Sequence, residues 1–175
     1  MLIRLKKNEN APVLTCIRDD GSTTWSKMPY REFFPRHDLM HYAVETTLGF
    51  REAFFGLIAS GWSVESFSEP GAAKRLPLEA RYAEFLVDQL EREHRFGESS
   101  IADTFNETLA GSVRQAGLSP YRPLVQKELD AIRARFEALL ARYAALPDGK
   151  KLELKWKPRS AVGETGNPPP GPGVS

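Results

Sequence analysis

Apolar and polar positions alternate at both ends of the chain and recur every three to four residues in between. Ile3 and Leu5 alternate with Arg4 and Lys6, and Pro12-Val13-Leu14-Thr15-Cys16-Ile17 is rich in β-branched residues. Asp19-Asp20-Gly21-Ser22 is a hairpin sequence, and Thr23-Thr24-Trp25 opens a third strand. Near the other end, after an Asp148-Gly149 turn, Leu152, Leu154 and Trp156 alternate with Lys151, Glu153, Lys155 and Lys157. That is a half-buried strand with a charged outer face. Its expected place is beside the N-terminal hairpins, in a small antiparallel sheet built from residues 1–28 and 150–157.

The intervening chain reads as about five helices. Pro35 suits a first helical turn, and the pattern runs to about Gly49. A short helix from Arg51 to Ser60 stops at Gly61, and Glu65 to Leu76 reads as a loop. Leu78 to Phe96 is closed by Gly97; Ile101, Phe105, Leu109 and Val113 then mark a helix that ends at Gly117. Pro120 or Pro123 opens the longest helix. Its apolar positions Val125, Leu129, Ile132, Phe136, Leu139, Tyr143 and Leu146 alternate steps of four and three, a coiled-coil-like seam. Such a seam packs either inside the protein or, through the 123–146 helix, in a homodimer. The expected fold is α+β, with residues 1–157 as one domain.

Residues 158–175 hold five Pro and four Gly, which leaves no apolar set to bury and predicts a disordered tail. Apolar residues are 41% and charged residues 27% of the chain, a globular balance, and the net charge of +1 gives no global field for nucleic acid. By segment the charge is +2 over 1–30, −5 over 31–121 and +4 over 122–157. The acidic middle is thus set to be neutralised within one fold. No apolar run approaches a membrane span, and MLIRLKKNEN lacks the apolar stretch of a signal peptide, so the expected compartment is the cytoplasm, in particular the bacterial cytosol. Cys16 is the single cysteine, which excludes an internal disulfide and a Cys-rich zinc module.

Candidate chemistry concentrates in His37-Asp38-Leu39-Met40-His41-Tyr42-Ala43-Val44-Glu45 and the turn to Glu52. On a helix, His37 falls into the apolar stripe with Met40, Val44 and Leu48; His41 lies on its edge, and Asp38 and Glu45 flank it. His37 and His41 are about 6 Å apart along the axis, so two imidazoles can reach one ion. His37 and Glu45, about 12 Å apart in rise, cannot share it from an unbroken helix. A metal site would then use His37, His41 and a carboxylate returned by a break, with Gly49 as the break and Glu52 beyond it. Asp38 would be a ligand or would hold an imidazole tautomer. His41, within one turn of both Asp38 and Glu45, is expected to matter more than His37 or His94. The bland alternative is a first-turn acid facing the helix dipole beside a hydrogen-bonded core histidine.

A second constellation pairs Glu91-x-x-His94 with Asp38-x-x-His41, with Glu84 and Glu45 as further carboxylates, on the plan of di-iron bundles. Phosphate-binding loops, a GxSxG elbow and Cys-x-x-Cys are absent from the sequence. Trp25, Trp62 and Trp156 read as packing anchors.

The block FFPRHDLMHYAVETTLGFREAFFGLIASGW resembles the signature of a family of small, uncharacterised bacterial proteins, a likeness that runs from the N-terminal hairpins to Trp62 and carries no activity. More loosely, His37-Asp38-x-x-His41 followed by Glu52 is similar to the HDxxH–x11–E metal motif of a ubiquinone-biosynthesis family. Ten residues, not eleven, separate His41 from Glu52 here, and that all-helical family has no counterpart of the N-terminal sheet. The resemblance implies a divalent metal, such as zinc, and not the quinone substrate.

Three functions follow. A divalent-metal enzyme of hydrolytic or lyase type would use His37, His41 and Glu52. A metal-free acid–base enzyme would pair His41 with Glu45 or Asp38. A non-enzymatic interaction protein would offer its helical seam, the histidines being structural. One outcome is expected from the sequence alone: ending the chain after Lys157 leaves the melting temperature unchanged, and a clear fall on thermal denaturation would show that the tail docks.

Overall fold

The alternation at the chain ends forms a four-stranded antiparallel sheet of order β3-β2-β1-β4: β1 is Leu2–Lys6, β2 Val13–Ile17, β3 Thr23–Lys27 and β4 Lys151–Lys155. The computed structural model describes residues 1–27 and 33–157; the predicted tail, 158–175, lies outside them. Register places Ile3 between Cys16 and Leu154, and Leu5 between Leu14 and Leu152. All six side chains are buried, so one face of the sheet is apolar, as period-2 patterning requires. Gly21, at φ 84°, closes the second hairpin, in which the Arg18 N–H donates to the Ser22 carbonyl at 2.8 Å. Trp156 is buried, but Trp25 is 53% exposed on the outer face of the edge strand β3 and anchors no packing. Its side chain falls on the polar side of the period-2 pattern, beside Thr15.

Among the described residues between β3 and β4 lie six helices: α1 Phe33–Leu48, α2 Phe54–Ala59, α3 Ala72–Arg75, α4 Leu78–Phe96, α5 Ala102–Gln115 and α6 Gln126–Ala144. The stretch read as a loop from Glu65 holds a 3-10 turn, Glu65–Ser68, and the short α3. Local polar groups supply the signals: the Ser66 N–H donates to Ser63 Oγ at 3.1 Å, and Gly71 precedes α3 at φ 80°. The last helix begins at Gln126, later than Pro123, because Val125 is extended and Leu124 is pinned by Asn106. The Leu124 N–H donates to Asn106 Oδ1 at 2.9 Å, and its carbonyl accepts from Asn106 Nδ2 at 2.8 Å.

Helix α1 is central, packed against α2, α4 and α6. Its Tyr42 hydroxyl donates to the Lys155 carbonyl at 2.9 Å, which ties it to β4. The seam of α6 faces inward: Leu129, Ile132, Phe136, Leu139 and Tyr143 are buried, and only Val125, at the N-terminal end, is exposed. Of the two alternatives for this seam, packing inside the protein is the one seen, because its apolar side chains cover α1 within the same chain. Among the described residues, no helix is long and apolar enough to cross a membrane.

Two glycines give a stability test. A Cβ at Gly56 in α2 would overlap the Arg51 backbone carbonyl, whereas one at Gly111 in α5 meets nothing within 4 Å. Gly56→Ala should destabilise by about 2 kcal/mol or more. Gly111→Ala should be neutral or stabilise by about 0.5–1 kcal/mol. Urea unfolding of both variants checks this, and equal midpoints would contradict it.

Candidate metal centre

Helix α1 carries an unusual number of buried polar side chains for a central helix. Asp38, His41 and Glu45 are all buried, and His37 is partly exposed. This reverses the order expected from the stripe, which put His37 at its centre and His41 on its edge. With neighbours on several sides, α1 has no single apolar stripe; the His41 edge faces α4 and α2, while the His37 edge opens toward a cleft.

The two imidazoles converge. His41 Nε2 stands 3.2 Å from His37 Nε2, with the rings edge to face and centroids 4.7 Å apart. From α4, Glu84 brings its carboxylate to both: Oε1 is 3.4 Å from His41 Nε2, and Oε2 is 3.8 Å from His37 Nε2. His37, His41 and Glu84 thus offer three donor atoms that all lie within 4.8 Å of one another. Behind them stand further carboxylates. Glu91 Oε2 is 3.4 Å from His37 Nδ1, and Glu45 Oε1 is 3.6 Å from His41 Nδ1, a distance of electrostatic contact and not of a hydrogen bond.

Glu52 does not join this group. It is exposed in the turn after α1, where its N–H and that of Arg51 donate to Glu79 Oε1 at 2.5 and 2.6 Å. The Gly49 break is real, with φ 75°, but it returns a different partner. It brings the N-terminus of α2 back onto Glu45, whose carboxylate accepts the N–H groups of Phe55 at 3.1 Å and Gly56 at 3.2 Å. An anion at a helix N-terminus is favourably placed. Glu45 is therefore committed to holding α2 and orienting His41, and it reaches no substrate space.

Asp38 lines the cleft together with His37, His41 and Glu84, and its Oδ2 is buried without a hydrogen-bond partner among the described residues. The cleft encloses about 460 Å³. His94 stands elsewhere, with Nδ1 2.9 Å from Glu137, so the Glu-x-x-His pair of the second constellation does not close around one site. Glu84 and Glu91 from that constellation do reach the histidines. The signal for them was the four-and-three spacing of Glu84, Asp88 and Glu91 along one face of α4. Their meeting with α1 depends on tertiary packing, which no local pattern reports.

The electrostatics follow from burial beside acids. Burial alone would lower the pKa of His41, but the Glu84 and Glu45 carboxylates outweigh it and raise the imidazole from 6.5 to about 10. Burial raises Asp38 from 3.8 to about 7, against the pull of the two histidines. Burial also opposes ionisation of Glu84, yet the adjacent His41 holds it below its ordinary 4.5. Burial raises Glu45, partly offset by His41 and the α2 N–H groups. Cys16, buried in β2, is pushed up to about 12 and is no nucleophile. Comparison with protein-family models, with curated proteins and with solved structures finds no match.

The signs of these shifts set a pH dependence. Asp38 and His41 both hold protons more tightly when folded, so metal-free protein loses stability as pH rises. The Asp38 contribution is present below pH 3.8 and lost by about 7; that of His41 is present below 6.5 and lost as pH rises to about 10. The Glu84 contribution runs the other way, but only below 4.5. Urea unfolding between pH 5 and 9 should show a steady decline, less steep at its acid end in Asp38→Asn. Stability that rises toward pH 9 would contradict the assignment.

Proposed function

We propose that the protein binds one divalent cation, zinc or a similar borderline metal, through Nε2 of His37, Nε2 of His41 and a carboxylate oxygen of Glu84. The observation that carries this reading is the 3.2 Å separation of the two imidazole nitrogens, with Glu84 oxygens at 3.4 and 3.8 Å. Two nitrogens bound tetrahedrally to zinc at about 2.0–2.1 Å stand about 3.3 Å apart. The donor set is chemically apt, two imidazoles and one carboxylate, and three protein ligands leave a further position for water or substrate. Glu91, 3.4 Å from His37 Nδ1, supplies a carboxylate of the kind that fixes the tautomer of a metal-binding histidine, and Glu45 faces His41 Nδ1 electrostatically at 3.6 Å. The resemblance of His37-Asp38-x-x-His41 to a known metal motif supports the same reading, with Glu84 in the place expected of Glu52.

Bound there, a metal polarises a carbonyl or lowers the pKa of water, which suits hydrolytic or lyase-type chemistry. The chain's own contribution is Asp38, a buried residue of the cleft lining whose Oδ2 has no hydrogen-bond partner among the described residues. His41 and Asp38 are then the residues closest to the chemistry, and Glu45 acts only through His41.

One observation favours a metal-free second reading: His41 and Glu84 already form an imidazole–carboxylate contact at 3.4 Å, a pair able to move a proton. Elemental analysis of protein purified without a His tag separates the two. About one zinc-class ion per chain is expected. His41→Ala and Glu84→Ala should lose it, Glu91→Gln should weaken binding about tenfold or more, and Glu52→Gln should retain it in full. Metal-free protein that takes up no zinc or cobalt on titration would overturn the metal reading.

A further inference from the structure

We infer that the cleft beside these donors recognises a small acyl compound, an acid, ester or amide with an aromatic or branched apolar body, and this inference rests on the metal reading. The cleft is divided by chemistry. Its polar lining includes the group where His37, Asp38, His41 and Glu84 meet, together with Ser26, Lys27, Glu65 and Ser68. The rest of the lining is apolar: Leu14 from β2, Phe54 at the start of α2, and Val64 and Phe67 around the 3-10 turn. Phe54 bridges the two parts, its ring centroid 5.4 Å from that of His41 and 4.7 Å from that of Phe67. A flat apolar group laid on Phe54 and Phe67 would therefore extend away from the donor atoms with its polar end among them.

The described lining suits other classes less well. A sugar or polyol needs hydrogen-bonding partners along its length, and four apolar side chains offer none. A polyphosphate needs several cations. Among the described lining residues Lys27 is the one Lys or Arg, against the carboxylates of Asp38, Glu65 and Glu84. The volume of about 460 Å³ falls within the range of small-molecule sites. The 3-10 turn gains a purpose in this light, since it carries Phe67 onto Phe54.

Hydroxamates test the inference, because they chelate a divalent metal through two oxygens and can carry either body. Cobalt-loaded full-length protein would be titrated with acetohydroxamate and with benzohydroxamate, and binding read from the cobalt absorption bands. Benzohydroxamate should bind about tenfold tighter or more, since only its ring reaches the wall. Phe67→Ala, which removes the ring packed on Phe54, should cut that preference at least about threefold while leaving cobalt content unchanged. Val64→Thr, nearly the same shape, should reduce it in the same direction and serves if Phe67→Ala fails to fold. Cobalt bound with equal affinity for the two probes would overturn this inference and leave the metal reading standing. Protein that shows no cobalt bands would overturn both.

Discussion

The buried carboxylate of Glu45 is the contact on which the site's geometry depends. A six-residue helix such as α2 has little stability of its own, because its nucleus is costly and few bonds follow. Here its two ends are held by opposite charges in the sense its dipole favours. Glu45 from α1 receives the Phe55 and Gly56 N–H groups at one end; the Arg18 guanidinium donates to the Ile58 and Trp62 carbonyls at 2.6 Å at the other. Removing an ionised carboxylate from water is strongly unfavourable unless it is hydrogen-bonded and faces a cation. Glu45 has both, two backbone donors and the raised-pKa imidazole of His41 at 3.6 Å. The α1–α2 corner and the orientation of His41 are thus one electrostatic unit. Phe54, and through it Phe67, takes its position from the same corner.

That unit helps α1 tolerate three buried ionisable side chains. Of the three, Glu45 has its partners on α2 and His41 meets Glu84 of α4, while the partly exposed His37 meets Glu91 of α4. Asp38 has no such partner. Its Oδ2 is buried with no partner among the described residues, and its carboxyl is held near neutral pKa by burial. Unsatisfied buried polar atoms are costly in folded proteins. Around α1 they cluster, since Arg36 Nε, His41 Nδ1, Thr47 Oγ1 and Glu91 Oε1 share this state among the described residues.

The fold was readable from the residues to a large extent because its signals are local. Period-2 alternation at Ile3, Leu5, Leu152 and Leu154, turn chemistry at Gly21, and four-and-three spacing in α6 each depend on neighbours close in sequence. The pair His37 and His41 was readable for the same reason, being four apart on one helix. The third donor was not. Predicting Glu52 assumed that the chain after Gly49 folds back with a side chain foremost; it folds back with backbone N–H groups foremost, and Glu45 takes them. Choosing Glu84 required knowing that α4, some forty residues on, packs against the His41 edge of α1. The stripe argument also failed at α1, since a helix covered on several sides has no single polar face to read.

The two histidine nitrogens constrain what the site can hold. At 3.2 Å, Nε2 of His37 and Nε2 of His41 cannot both carry a proton without repulsion, nor can both be bare acceptors. One N–H donating to the other nitrogen satisfies the pair, and the carboxylates of Glu84 and Glu45 favour protonation of His41. A divalent cation would take that proton's place with the same three carboxylates around it, two against the imidazoles' outer nitrogens and Glu84 as ligand. The arrangement that raises the pKa of His41 is therefore the arrangement that would stabilise a metal. In the proposed metal-bound state both Nε2 atoms must be unprotonated, so a cation there would compete with the proton that the carboxylates of two helices favour.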